Sequence, residues 1–124
     1  MQAYTRFRRA SDQVPAARAF VRDTLSRWGE VAALDDTLLV ASELFTNAVL
    51  YGSGWIDVYV TLDPQSLRIA VVDEGQRAPV PVPGPDPATG SGRGLRIVDA
   101  LASDWGSNFD PSGRNRVWAE VPRG

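Results

Sequence analysis

Glu43 and Asn47 are the residue pair whose types and spacing best suggest chemistry, a carboxylate and a carboxamide four positions apart. If their segment is helical, both side chains lie on one face, with Tyr51 one turn further along. The amide oxygen of Asn47 suits a hard cation such as Mg²⁺, which takes few protein ligands. Glu43, one turn away, is a candidate general base. For this pair taken alone, a solvated helix face is the alternative interpretation.

Asp73 is a second candidate, because it directly follows an apolar, β-branched run at residues 67–72 (LRIAVV). A carboxylate at the edge of the core can accept hydrogen bonds from the amino group of a nucleotide base. Gly75 would let the backbone approach a flat ring closely. The alternative is an ordinary strand-to-turn transition, since Asp-x-Gly is common in turns.

A glycine-rich segment at residues 90–94 (GSGRG) directly precedes a helical pattern. Glycines permit close backbone approach, and the start of the following helix presents unpaired N–H groups to an anionic phosphate. Arg93 could add a charge-assisted contact. A flexible hinge is the alternative, and the segment does not match the dinucleotide-binding fingerprint.

The elements that must position these residues follow from periodicity and turn signals. An edge strand is predicted at 3–10, and a helix from about Ser11 to Trp28 that Gly29 ends. A second helix begins near Asp35 and ends at Gly52. The remaining predicted elements are strands at 55–62 and 67–72, an irregular proline-rich loop at 74–92, a helix from Arg93, and a hairpin of 104–109 with 116–121.

This order predicts an α+β fold, a two-layer sandwich with helices on one face of a mixed, mostly antiparallel sheet. The chain has 124 residues and 44% hydrophobic content, which predicts a single domain over residues 1–124. No apolar run approaches the length of a membrane span, and no export signal is recognisable. We therefore expect a cytoplasmic protein that does not bind a membrane.

The composition excludes several kinds of site. Cysteine and histidine are absent, which removes thiol catalysis, histidine triads and zinc sites built on these residues. All 13 basic residues are arginine, so a phosphate-binding lysine of the P-loop kind is impossible. The net charge of −2 argues against direct binding of nucleic acid.

Taken in order, three segments resemble the motifs of the GHKL ATPase superfamily. Residues 43–52 (ELFTNAVLYG) resemble its N box, residues 73–75 (DEG) its G1 box, and residues 90–101 (GSGRGLRIVDAL) its G2 box. The similarity extends from about residue 12 to residue 121. Within the superfamily the sequence is most similar to the bacterial anti-sigma-factor serine kinases.

The resemblance implies a helix-and-sheet fold that binds ATP with Mg²⁺ beneath a lid at 76–91. It implies Asn47 as the Mg²⁺ ligand and nucleotide contact, and Glu43 as the catalytic base. Asp73 would bind the adenine amino group above Gly75. The implied phosphate-binding segment comprises Gly92, Arg93, Gly94 and Leu95.

The resemblance also implies partners, a sigma factor and the anti-sigma-factor antagonist whose serine is phosphorylated, and a homodimer as the binding form. The sequence departs from the family pattern in its short, proline-rich lid, in the lack of a lysine at 113–116, and at two motif positions. Arg77 stands where the G1 box often has a second glycine, and Tyr51 stands where relatives commonly have histidine. An ATP-dependent serine kinase is the leading hypothesis. The alternatives are a non-catalytic, nucleotide-dependent protein-binding module and a detached sensor-kinase ATPase domain.

Overall fold

The computed structural model describes residues 1–75 and 91–123, with the backbone alone for residues 91–95. A short 3₁₀ turn at Ser11–Gln13 leads into the first helix. In chain order, the strands and helices are β1 Gln2–Phe7, α1 Val14–Arg27, α2 Leu34–Tyr51, β2 Ile56–Leu62, β3 Ser66–Asp73, α3 Ser91–Leu101, β4 Asp104–Phe109 and β5 Asn115–Pro122.

The strands form one sheet in the order β1-β2-β3-β5-β4. All four pairings among the described residues are antiparallel, so the expected parallel component of a mixed sheet is absent there. The physical reason is connectivity. β1 and β2 are joined through two helices that return the chain to the same end of the sheet, and β2–β3 and β4–β5 are hairpins. α3 carries the chain to the opposite end of the sheet, so β4 runs in the direction of β3, and β5 lies between these two strands antiparallel to both.

The three helices lie on one face of this sheet, and the core fills the space between the layers. Alternate strand residues supply the sheet side of this core, for example Val58 of β2 and Ile69 of β3, both buried. Phe45 of α2 meets the ring of Phe7 edge-to-face at a centroid distance of 5.4 Å. The predicted two-layer arrangement with one helical face is therefore confirmed.

Helix boundaries follow the predicted signals closely. Pro15 lies in the first turn of α1, where its missing N–H is not needed. Gly29 follows the end of α1 with a φ of 73°, a left-handed conformation that favours glycine. α3 begins at Ser91, two residues earlier than expected, so residues 91 and 92 belong to a helix rather than to the irregular loop.

α2 is buried over more of its circumference than the single apolar stripe, formed by residues such as Leu38, Phe45 and Ala48, that its sequence spacing predicts. The stripe members Leu38 and Phe45 are buried, as expected, but so are Val40 and Leu44 on the adjoining side. α2 packs against the sheet and against both α1 and α3, which accounts for this wide buried surface. A polar residue of α2 at the edge of this buried surface is therefore only partly exposed to solvent.

The face of the sheet opposite the helices carries a buried carboxylate, Asp57 of β2. Arg6 donates to it from Nε at 2.7 Å and from Nη2 at 3.1 Å. Arg114 donates from Nη1 at 2.6 Å, and the Tyr4 hydroxyl donates at 3.0 Å. Burial raises the pKa of Asp57, but these hydrogen bonds outweigh it and leave the pKa below its ordinary value.

Replacing Asp57 by asparagine is expected to lower the free energy of unfolding by about 1.5–3 kcal/mol at pH 7, because two arginines lose their shared carboxylate. The folded-state pKa lies below the unfolded value, so this stabilisation is complete above about pH 4 and is lost as the pH falls through the folded-state pKa. Urea unfolding of both proteins at pH 7 and at about pH 3 measures the difference. Asp12→Asn, which removes a 3.9 Å ion pair between exposed side chains, is the control and should change little.

Among residues 1–75 and 91–123, no helix is long and apolar enough to cross a membrane.

Candidate functional site

Asp73 and Asn115 meet at one end of the sheet. Asp73 closes β3, Asn115 opens β5, and the two are direct partners across the strand pair. Asn115 Nδ2 donates to Asp73 Oδ2 at 3.2 Å, while Asp73 Oδ1 accepts the backbone N–H of Gly75 at 2.7 Å. Each residue is 1% exposed. The carboxylate is thus held by an amide side chain on one oxygen and by backbone on the other.

Asn115 was not among the residues that the sequence marked for the site. Its Oδ1 is buried and has no hydrogen-bond partner among the described residues. Because Nδ2 is directed at a carboxylate, the amide orientation is determined and Oδ1 must point away from Asp73. A buried carbonyl oxygen without a donor costs about 1–3 kcal/mol, so this atom is a natural acceptor for an N–H of a bound ligand.

The segment after α2 is tied to the end of β3 by three hydrogen bonds. Ser53 N–H donates to Asp73 Oδ1 at 3.4 Å, and Glu74 N–H donates to the Ser53 carbonyl at 2.8 Å. Glu74 Oε2 in turn accepts the backbone N–H of Trp55 at 2.6 Å. These contacts couple the helix that carries Glu43 and Asn47 to the strand that carries Asp73.

Gly52 is where α2 comes closest to the Asp73 carboxylate. A Cβ added at Gly52 would lie 2.5 Å from the Ala48 carbonyl oxygen and 2.7 Å from Asp73 Cγ. The φ of Gly52 is −88°, so glycine is required here for space rather than for backbone conformation. The last residue of the predicted N-box segment therefore has a packing role that joins it to the predicted G1 segment.

Gly52→Ala is expected to destabilise the fold by about 1–3 kcal/mol and to weaken nucleotide binding, because the added methyl group must displace Asp73 or the helix end. Chemical unfolding and titration with ATP measure the two effects. Gly29→Ala is the matched control. It has open space around the added carbon but a positive φ, so it should cost about 1–2 kcal/mol and leave nucleotide binding unchanged. Equal nucleotide affinity in Gly52→Ala would contradict the role of this close approach.

Glu43 and Asn47 lie one turn apart on α2 and are both partly buried. Among the described residues, neither has a hydrogen-bond or ion-pair partner. They border the buried surface formed by Val40 and Leu44, so the alternative of a fully solvated helix face is not what the structure shows. Tyr51, one turn beyond Asn47, is 37% exposed.

α3 supplies the helix start predicted from the glycine-rich segment. Gly92, Arg93, Gly94 and Leu95 all lie in its first turns. The chain leaves β3 at the Asp73 end of the sheet and enters β4 at the opposite end, where Asp104 pairs with Glu120. α3 makes this crossing while packing against α2, and its first N–H groups have no intrahelical partner. The predicted lid and Arg77 lie outside the described residues, apart from Ser91.

Comparison with known protein families agrees with this arrangement. The sequence matches the family model of the histidine kinase-like ATPase domain over residues 7–120, which is nearly the whole chain. The chain belongs to the histidine kinase-like ATPase family. No curated protein matches the sequence.

Membership of the histidine kinase-like ATPase family confirms the resemblance to GHKL ATPases and the fold class. It also supports an ATP-binding regulatory role. The described geometry brings Asp73, Gly75 and Asn115 together at one end of the sheet and connects them through Gly52 to the helix of Asn47. The individual roles of these residues, and the similarity to anti-sigma-factor kinases in particular, remain predictions.

Proposed function

We propose that this histidine kinase-like ATPase domain is a serine kinase that uses ATP and Mg²⁺ to phosphorylate an anti-sigma-factor antagonist. The surroundings of Glu43 and Asn47 are the observation that supports catalysis in addition to nucleotide binding. Both are partly buried on one helix face and, within the described residues, neither is engaged by another side chain. A carboxylate and an amide that serve the fold alone would normally be either solvated or hydrogen-bonded to protein.

Adenine recognition is assigned to the end of the sheet. Asp73 would accept one N–H of the adenine amino group, and backbone donors already hold this carboxylate in place. The unpartnered Oδ1 of Asn115 adds a second acceptor beside it. Gly75, with no side chain, would permit the ring to lie close to the backbone. Two adjacent acceptors suit an amino group better than the carbonyl of a guanine base.

Phosphate and metal binding are assigned to α2 and to the start of α3. Asn47 would offer its amide oxygen to Mg²⁺, which usually keeps water and phosphate oxygens as its other ligands. Backbone N–H groups at Gly92, Gly94 and Leu95, with the charge of Arg93, would hold the phosphates at the helix start. When bound, Mg²⁺ would neutralise charge on the phosphates during transfer.

Glu43 is assigned the role of general base. It would take the proton of the serine hydroxyl while the serine oxygen bonds to the γ-phosphorus and the bond from that phosphorus to the bridging oxygen of ADP breaks. A base within one helical turn of the metal ligand can reach a hydroxyl held next to the γ-phosphate. The products are a phosphoserine and ADP, and the proton remains on Glu43 until it passes to solvent.

The proposed partners are the phosphorylated antagonist and a sigma factor, with a homodimer as the form that binds the sigma factor. We propose a cytoplasmic location, since both partners act there.

The alternative function is a non-catalytic module whose interface with a partner protein is tuned by nucleotide. Arg77, at the position of the second glycine of the G1 box, favours this alternative.

Two measurements test the proposal and separate it from its alternative. Calorimetric titration with ATP and ADP in the presence of Mg²⁺ establishes nucleotide binding. Incubation with γ-labelled ATP and candidate antagonists, chosen from proteins encoded beside this one, establishes transfer to serine. We expect both binding and transfer. Binding without transfer to any candidate would support the non-catalytic module, and absence of nucleotide binding would contradict both functions.

A further inference from the structure

A cavity lies on the face of the sheet that no described helix covers, on the opposite side from the candidate nucleotide site. Its volume is about 640 Å³, within the range of small-molecule pockets. Its floor is formed by Ala70 and Val72 of β3, which point away from the helices but are only 3% and 2% exposed. Longer side chains on the neighbouring strands β2 and β5 surround these two small residues.

Each of the two aromatic neighbours of Ala70 contacts the strand on its far side. Ala70 is flanked in register by Tyr59 on β2 and Trp118 on β5. The ring of Tyr59 packs on Tyr4 of β1 at a centroid distance of 4.9 Å. The ring of Trp118 extends over Gly106 of β4, where an added Cβ would lie 3.0 Å from Cζ2. Ala70 lines the hollow between these two rings, although its own side chain is almost fully covered.

Three arginines line this hollow, and two of them are already paired. Arg68 forms an ion pair with Glu120, and its guanidinium stacks on Trp118 at 4.7 Å from the ring centroid. Arg114 is bonded to Asp57 at 2.6 Å and to Asp110 at 3.0 Å. The carboxylates on this face are therefore engaged by arginines other than Arg116.

Arg116 is the third arginine, and it has no hydrogen-bond or ion-pair partner in the described part of the chain. It is partly buried beside Val72, its register partner. Burial, and then the nearby charge of Arg68, lower the pKa of Arg116, while Asp110 and Tyr59 act in the opposite direction. A desolvated guanidinium without a counter-ion is unfavourable, and an anion that entered the cavity would relieve this penalty.

We propose that this cavity binds a small organic anion, with its carboxylate or phosphate group on Arg116 and a flat apolar body over Ala70 beside Tyr59. The planar guanidinium can donate two parallel hydrogen bonds to either acid group. The hydroxyl and amide side chains of Thr61 and Asn108, which also line the cavity, supply further polar contacts. This site is independent of the proposed nucleotide site, because adjacent residues of β5, Asn115 and Arg116, face opposite sides of the sheet.

Benzoate and phenyl phosphate are suitable probes, because each joins an acid group to an aromatic ring. Inorganic phosphate is the control that has the charge but no ring, and benzamide is the control that has the ring but no charge. We expect saturable binding of at least one charged aromatic probe, followed by shifts of the Ala70 methyl and Arg116 side-chain NMR signals. Whichever of benzoate and phenyl phosphate binds with the lower dissociation constant identifies the acid group that the cavity prefers. Phenyl phosphate binding no tighter than inorganic phosphate would contradict the apolar body. No saturable binding of either charged probe up to about 10 mM would overturn the site.

Arg116→Gln is expected to weaken probe binding about 10- to 100-fold, and Arg116→Lys by less, because lysine keeps the charge without the planar fork. The thermal midpoint of Arg116→Gln should be equal or higher, since the repulsion from Arg68 is removed. Arg18→Gln, an exposed arginine on α1, is the control and should bind normally. Saturating ADP with Mg²⁺ should not displace the probe. Displacement, or unchanged binding in Arg116→Gln, would refute this assignment while leaving the kinase proposal untouched.

Discussion

Replacing Glu43 by glutamine is expected to slow phosphoryl transfer by about 10²- to 10⁴-fold, the contribution typical of a positioned general base. Glutamine keeps the shape of the side chain but cannot accept the proton of the serine hydroxyl. The affinity for ATP should stay within about twofold, because Glu43 contacts the acceptor rather than the nucleotide in the proposed mechanism. Single-turnover transfer with labelled ATP, together with calorimetric titration, measures the two quantities separately.

Asp36→Asn provides the matched control for this experiment. Asp36 lies on the same face of α2 two turns earlier, and it is exposed. It should leave both transfer and ATP affinity nearly unchanged. A parallel loss of ATP binding in Glu43→Gln would show that Glu43 acts on the nucleotide or on the fold, and normal transfer would exclude it as the base.

Replacing Asp73 by asparagine is expected to weaken ATP binding by about 10²- to 10³-fold. The change removes the charged acceptor of the adenine hydrogen bond. In one orientation of the new amide, its NH₂ group would also face the adenine amino group, so that two donors would meet. The loss should be selective for adenine: ATP and ADP should weaken together, whereas GTP, which has a carbonyl at that position, should weaken much less. Competition titrations with the three nucleotides check this order.

Stability must be measured alongside, because Asp73 also accepts backbone hydrogen bonds from Ser53 and Gly75. Urea unfolding of Asp73→Asn separates a folding defect from a binding defect at a temperature where the variant is folded. Asp63→Asn, in the exposed turn between β2 and β3, is the control. Retention of full ATP affinity in folded Asp73→Asn would contradict adenine recognition by this carboxylate.

Much of the fold was predictable because its signals are local. The helix that carries Glu43 and Asn47 follows from apolar spacing and from acidic residues at its start, and the structure confirms it at Leu34–Tyr51. β3 ends at Asp73, as the run of β-branched residues indicated. Among residues 1–75 and 91–123 no strand pair is parallel, which differs from the expected mixed sheet, since strand direction depends on how distant segments return to the sheet.

The burial of Glu43 and Asn47 was not predictable from the helix alone. Their spacing places them away from the stripe of Leu38 and Phe45, which favours a solvated face when α2 is considered by itself. In the structure, α2 packs against the sheet and against both α1 and α3, and Val40 and Leu44 are buried as well, which brings the polar pair to the edge of the buried surface. The partial burial of Glu43 and Asn47 therefore results from packing between helices and strands and not from the apolar periodicity of α2.

The sequence by itself determined the types of residue available for chemistry, their order, and the helices and strands that carry them, because each depends on neighbours a few positions away. Only the tertiary structure placed Asn115 against Asp73 and made Gly52 a point of close approach. It also left Arg116 in a cavity without a partner. These three features depend on cross-strand register and on contacts between residues far apart in the chain, which local pattern does not encode.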